Sequence, residues 1–162
     1  MNYKYINKNG WIDYNDSYTT INPISYISGD LQLTNDGLGI YSNSLFKPSG
    51  VTRLWNTTTN TFDFSELNVG DEITIRTEGI VTTSANNQIF ETKIIFNLQG
   101  IPFSINLGQT YRKAIGTDSI NRIIKFYIGS EEVKNTPAKW IFQSDSPATI
   151  IVNGLYISVQ RR

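Results

Sequence analysis

The chain has 162 residues, in which 14 Lys and Arg balance 14 Asp and Glu, and it contains no histidine and no cysteine. These absences exclude a Ser–His–Asp or Cys–His triad, a disulfide framework and the usual zinc or iron–sulfur sites. The balanced charge lacks the basic excess of a duplex-binding surface, so no nucleic acid is expected as partner.

At this length the chain is one domain with room for a real core. No apolar run approaches the ~20 residues that span a bilayer, and the N-terminus lacks the apolar stretch of a secretory signal. The expectation is a protein made in a cytoplasm, off the membrane, and released by lysis if at all. Only 17% of residues are charged, below the about 25% of ordinary domains. Asn, Thr and Ser carry the polar character instead, and these suit turns and the outer faces of strands.

The first ~50 residues are dense in turn chemistry, at Asn9-Gly10, Ser28-Gly29-Asp30, Asn35-Asp36-Gly37 and Lys47-Pro48-Ser49-Gly50. Only 26–33 and 38–42 pattern as strands. Six of the nine tyrosines lie at or before Tyr41, alongside Trp11. Such a segment reads either as an arm that orders on a partner, since Tyr gives large contact area with few torsions to freeze, or as cover for one end of a sandwich. The boundary is drawn at 30, with 1–30 an arm or edge segment and 31–162 the β domain.

From Glu72 to Thr83 the sequence alternates, with Ile73, Ile75, Thr77 and Val81 on one face. Gln88 to Leu98 alternates likewise, with Phe90, Thr92, Ile94, Phe96 and Leu98 inward. The turn residues Ser84 to Asn87 between them predict an antiparallel hairpin. Ile101 to Leu107 is a further strand, placed at an edge by Pro102, which lacks a ladder donor. Strands at 120–128 and 139–143 follow, and 111–115 and 130–133, the latter opening on the helix-start pattern Ser130-Glu131-Glu132, read as a turn or two of helix or as loops. Residues 148–152 and 155–160, split by Asn153-Gly154, form either a hairpin pair or one strand with a bulge. Scarce alanine, abundant isoleucine and short strands between Gly, Asn and Pro turns predict an all-β antiparallel sandwich or barrel.

Carboxylates are the only catalytic material, in the pairs Asp13/Asp16, Asp71/Glu72 and Glu131/Glu132. A glycosidase needs two, ~5–10 Å apart across a cleft, but adjacent strand residues diverge, and Asp71 after Gly70 reads as a turn cap. Asn35-Asp36-Gly37 is only a fragment of a calcium loop. No metal, cofactor or catalytic residue is assigned. Trp11, Trp55 and Trp140 could stack on sugars. Trp140, in phase with Phe142, reads as core, Trp55 reads either way, and Trp11 is the best candidate for exposure.

The succession Leu33-Thr34-Asn35-Asp36-Gly37-Leu38-Gly39, Leu54-Trp55-Asn56-Thr57-Thr58-Thr59-Asn60 and Leu67-Asn68-Val69-Gly70-Asp71-Glu72 resembles small single-jelly-roll virion proteins of tailed bacteriophages, of the capsid decoration (cement) and head-fibre types. The resemblance covers residues 30–162. It implies an eight-stranded jelly roll, a homotrimer, attachment to the major capsid protein or other virion proteins through an N-terminal segment, and residence in the virion. It carries no catalytic residues, and Trp55, Gly70 and Asp71 transfer as structural positions. Trp11, Tyr14, Tyr18, Arg53 and Trp55 are the candidate contact residues. The alternatives are a receptor- or carbohydrate-binding module of a tail fibre, with a glycan as ligand, and a carboxylate-only glycosidase.

Overall fold

A computed structural model describes residues 8–162. Its strands are β1 (Gly10–Asn15), β2 (Ile24–Tyr26), β3 (Leu31–Gln32), β4 (Trp55–Asn56), β5 (Thr61–Phe62), β6 (Glu72–Thr83), β7 (Gln88–Leu98), β8 (Ile101–Arg112), β9 (Gly116–Tyr127), β10 (Ala138–Ser144) and β11 (Ala148–Gln160), with one short helix, α1 (Glu131–Asn135). Ser130 caps α1 by accepting the Val133 N–H, as its sequence suggests.

Two antiparallel sheets face each other. One runs β1-β11-β6-β9, with β2 also on β11; the other runs β4-β5-β10-β7-β8, with β3 also on β10. From β6 onward the chain passes between the sheets at β6/β7, β8/β9, β9/β10 and β10/β11. β1 and β2 share one position beside β11, and β3 and β5 share one beside β10, which gives four positions in each sheet and, with the two-residue β4 outside β5, the order of an eight-stranded jelly roll. The inward residues read from alternation form its core: Ile73, Ile75, Val81, Phe90, Ile94, Phe96 and both Trp140 and Phe142 are buried.

Two local expectations are corrected. β6 and β7 are not a hairpin: β6 pairs with β11 and β9, and β7 with β10 and β8. Alternation fixes which face of a strand is buried, not which strand it pairs with. The crossing is held by Gln88, whose buried side-chain carbonyl accepts the Ser84 and Ala85 N–H groups while its amide donates to Ser144 Oγ and the Ser146 and Pro147 carbonyls. Residues 38–42 form no strand but a turn-rich loop.

The final segment is one strand, and its register shifts between Val152 and Gly154. On the side of the strand away from β6, pairing with β2 ends at Ile150 and pairing with β1 starts at Gly154, which leaves Val152 between them without a strand partner. Thr19, fully buried, supplies one: its Oγ1 accepts the Val152 N–H at 2.9 Å, and its single proton is shared between the Val152 carbonyl (3.0 Å) and the Asp16 carboxylate (2.6 Å).

Residues 10–30 are not a free arm. β1 pairs with β11 along six residues and β2 along three, so the jelly roll begins at Gly10 and the segment is a sheet edge. The part of the expected arm at 1–7 lies outside the described residues.

Thr19→Val keeps the shape and removes the paired oxygen. Leaving the Val152 groups buried and unpartnered is expected to lower stability by about 1–3 kcal/mol, read from the urea unfolding midpoint.

Candidate functional site

The sandwich has two lateral sides, and they are finished differently. Along β1 the edge is closed by the chain itself. The Trp11 N–H donates to the Phe46 carbonyl at 2.9 Å, Asp13 and Asn43 exchange both backbone bonds, and the Asn15 N–H donates to Ser42 Oγ at 2.8 Å. Gly10 permits this approach, since a Cβ there would lie 2.2 Å from the Phe46 carbonyl oxygen.

The loops that make this closure are tied down by a polar triangle. The Trp55 indole N–H donates to the Asn35 carbonyl (3.0 Å), the Asn35 amide to the Tyr14 carbonyl (2.8 Å), and the Tyr14 hydroxyl accepts the Leu54 and Trp55 N–H groups (2.8 and 3.2 Å). Burial raises the Tyr14 pKa, which those two N–H groups oppose, so the hydroxyl stays neutral at physiological pH.

Two of the candidate contact residues are therefore structural. Trp55 is 1% exposed and lies edge-on to Phe62 at 5.0 Å, in the core. Tyr14 is half-buried against that core. Trp11 is half-buried on the outer face, stacked on Phe46 at 4.9 Å and tilted against Tyr156 at 5.7 Å. Tyr18 is exposed. Arg53 is exposed and ion-paired with Asp63 at 2.9 Å. The five are not brought together into one site.

The side chains that do gather were not singled out from the sequence. Ile21 (81% exposed), Leu38, Ile40 (89% exposed) and Tyr41 line an open cleft of about 590 Å³ with Asn15, Asp16 and Asn153. The signal was present in Leu38-Gly39-Ile40-Tyr41, where apolar residues directly follow an Asn-Asp-Gly turn. A strand reading hid it, because apolar residues on a strand are expected to face the core.

The opposite side is bare. β8 and β9 end their sheets, and among the described residues no backbone group pairs with their outer edges. Pro102 on β8 agrees with the edge position expected for it. Two arginines bridge the gap between the sheets here: Arg112 pairs with Asp118 at 2.7 Å, and Arg122 donates to Thr110 Oγ1. Gly108, at φ +142°, leaves room for Arg122, since a Cβ would lie 2.7 Å from its Nε. Exposed along this side are Ile101 and Phe103 on the inner face of β8 and Ile123 and Tyr127 on the outer face of β9.

The carboxylates have structural work. Asp16 accepts the Thr19 and Asp36 N–H groups, Asp71 accepts the Asn68 N–H at 2.8 Å as a turn cap, Glu72 pairs with Lys125, and Glu131 pairs with Lys134. Asp13 faces outward, and burial raises its pKa against the lowering effect of Arg76. Asp36 is lowered: burial alone would raise it, but bonds from the Ser17 hydroxyl and the Leu38 and Ser17 N–H groups outweigh that. Among the described residues no group of three or more carboxylates gathers as a metal site. A separate groove over the second sheet, about 430 Å³, is lined by Glu91, Gln109, Gln143 and Asp145 beside the buried Tyr26.

No protein-family model matches the chain, and no curated protein matches it in sequence. Among solved structures, that of Eiger TNF from S. frugiperda aligns with 96% of this chain and 94% of its own at a TM-score of 0.56 and 8% identity. The structure of infectious bursal disease virus, Gx strain, aligns over 93% of this chain at a TM-score of 0.46 and 13% identity, and this chain spans about a third (31%) of that one. The likeness to Eiger is one of fold: the chain is a jelly roll.

A depressed carboxylate adds stability above its unfolded titration range, and that share is lost as pH falls through its folded-state value. Asp36→Ala should therefore lower Tm at pH 7 by about 2–4 °C, the effect of about 1 kcal/mol in a domain of this size. The gap between variant and parent should narrow as the pH is taken below 4 in thermal melts.

Proposed function

We propose that the chain is a non-enzymatic structural subunit on the exterior of a tailed-phage virion, a homotrimer that decorates the capsid and is attached through the residues ahead of β1. The observation that carries this reading is the display of large apolar side chains on both lateral sides of a rigid jelly roll. Isolated exposed hydrophobes are ordinary, but clusters of them at a closed loop face and along two bare edges mark surfaces meant for other proteins. The chemistry of the chain supports the same reading. It has no histidine or cysteine, and most of its candidate carboxylates cap turns or pair with lysines. Attachment through the first residues is supported by Tyr3, Tyr5 and Ile6, and many subunits on one lattice would need only modest affinity each.

Gradient-purified particles are the test. The chain should co-purify with them at a copy number comparable to the capsid subunit, and Lys4 and Lys8 should be cut by trypsin in the free protein but protected on particles. Recovery only in the soluble fraction would overturn the reading.

The groove of Glu91, Gln109, Gln143 and Asp145 favours a second reading, a glycan-binding module, since these groups can bond sugar hydroxyls. Under it, the purified chain binds glycans on an array and Gln143→Ala abolishes the signal; under the virion reading the array is blank.

A further inference from the structure

The two lateral sides differ in charge as well as in finish. Between Gly10 and Phe46 the chain carries Asp13, Asp16, Asp30 and Asp36 and no Lys or Arg. Between Ile101 and Tyr127 it carries Arg112, Lys113, Arg122 and Lys125 against Asp118 alone. The zero net charge of the whole chain conceals this separation. Asp13, Asp16 and Asp36 lie on the β1 side, whereas Asp30 lies over the second sheet beside Gln143 and Lys93; the basic segment is β8, β9 and their turn, at the opposite ends of both sheets. Of the four aspartates only Asp30 has an ion-pair partner among the described residues, Lys93 at 3.8 Å; on the basic side neither Lys113 nor Arg122 has one.

We infer that the trimer contact is head-to-tail between copies of this chain: the bare β8/β9 side of one copy docks on the loop face of Ile21, Leu38, Ile40 and Tyr41 of the next. This assignment rests on the trimer reading above. Three observations select a second copy as the occupant. Each side is apolar where the other is apolar, with Ile101 (71% exposed) and Ile123 (66% exposed) set against Ile40 and Leu38. Each is opposite in charge to the other, which favours this pairing and disfavours like sides meeting. On the loop side β1 is covered by residues 42–46, whereas β8 and β9 present twelve-residue open edges, so the two surfaces differ in kind. A heterologous contact of this kind closes into a ring when the rotation between copies permits. Twelve-residue strands run about 40 Å on two sheets about 10 Å apart, a strip of about 400 Å² that supplies the centre of an interface, with the flanking outer faces of β8 and β9 needed to reach the about 800 Å² per partner of a stable one.

The experiment is sedimentation velocity on the full chain and two variants at exposed positions, Ile40→Lys on the loop face and Ile123→Glu on β9. Each places on one side a charge matching that of the side it meets, and both are checked for native circular dichroism and melting. The parent is expected to be a trimer and each variant a monomer, with association weakened at least tenfold. Mixed together, the two variants should form a heterodimer, because the intact β8/β9 side of the first meets the intact loop face of the second. A monomeric parent up to about 1 mM removes the trimer reading itself. A trimeric parent with either variant still trimeric, or with a mixture that stays monomeric, keeps the trimer and overturns this contact.

Discussion

Every open sheet ends in strands whose outer N–H and C=O groups must be paired, covered or left to water, and the treatment of those edges organises this molecule. On the β1 side the chain spends residues 42–46 on covering its own edge, through the bonds of Trp11, Asp13 and Asn15. On the other side it leaves two strands of twelve residues open. The core between them is ordinary in kind. The difference between the two sides is what gives the protein a direction, and a surface that a neighbour can complete.

The closed side depends on neutral polar groups more than on charge. The Tyr14–Asn35–Trp55 triangle and the Thr19–Val152 pair both satisfy backbone and side-chain groups that would otherwise be buried without partners, which is costly. Both use the short or aromatic polar residues in which this chain is rich. The loops they fix can then hold Leu38, Ile40 and Tyr41 outward without collapsing onto the core. Ion pairs such as Arg53–Asp63 and Lys125–Glu72 lie at the surface and add little to stability.

Much of the sandwich was legible because period-two alternation is a local property. Ile73, Ile75, Phe90, Ile94 and Phe96 could be placed inside from their spacing alone, and Pro102 could be placed at an edge because it has no N–H to donate. Pairing was not legible. The β6 and β7 patterns suit a hairpin as well as they suit two facing sheets, and the choice depends on β11 and β10, far along the chain. Trp55 shows the same limit at one residue: an indole between turn segments reads as contact or core until Asn35 and Phe62 are placed around it. The contact surfaces escaped for a related reason. Ile21 and Ile40 look like any isoleucine in sequence, and they are exposed only because loops from separate segments meet beside β1.

What the sequence determined by itself is the class of structure and the chemistry excluded from it: alternating Ile and Phe demand sheets with one buried face, and without histidine or cysteine most catalytic and metal-binding routes are closed. What only the tertiary structure decided is which edges are covered and which charges lie together. Those are set by pairings between strands more than thirty residues apart, such as β1 with β11 and β6 with β9, and short-range patterns carry no record of them.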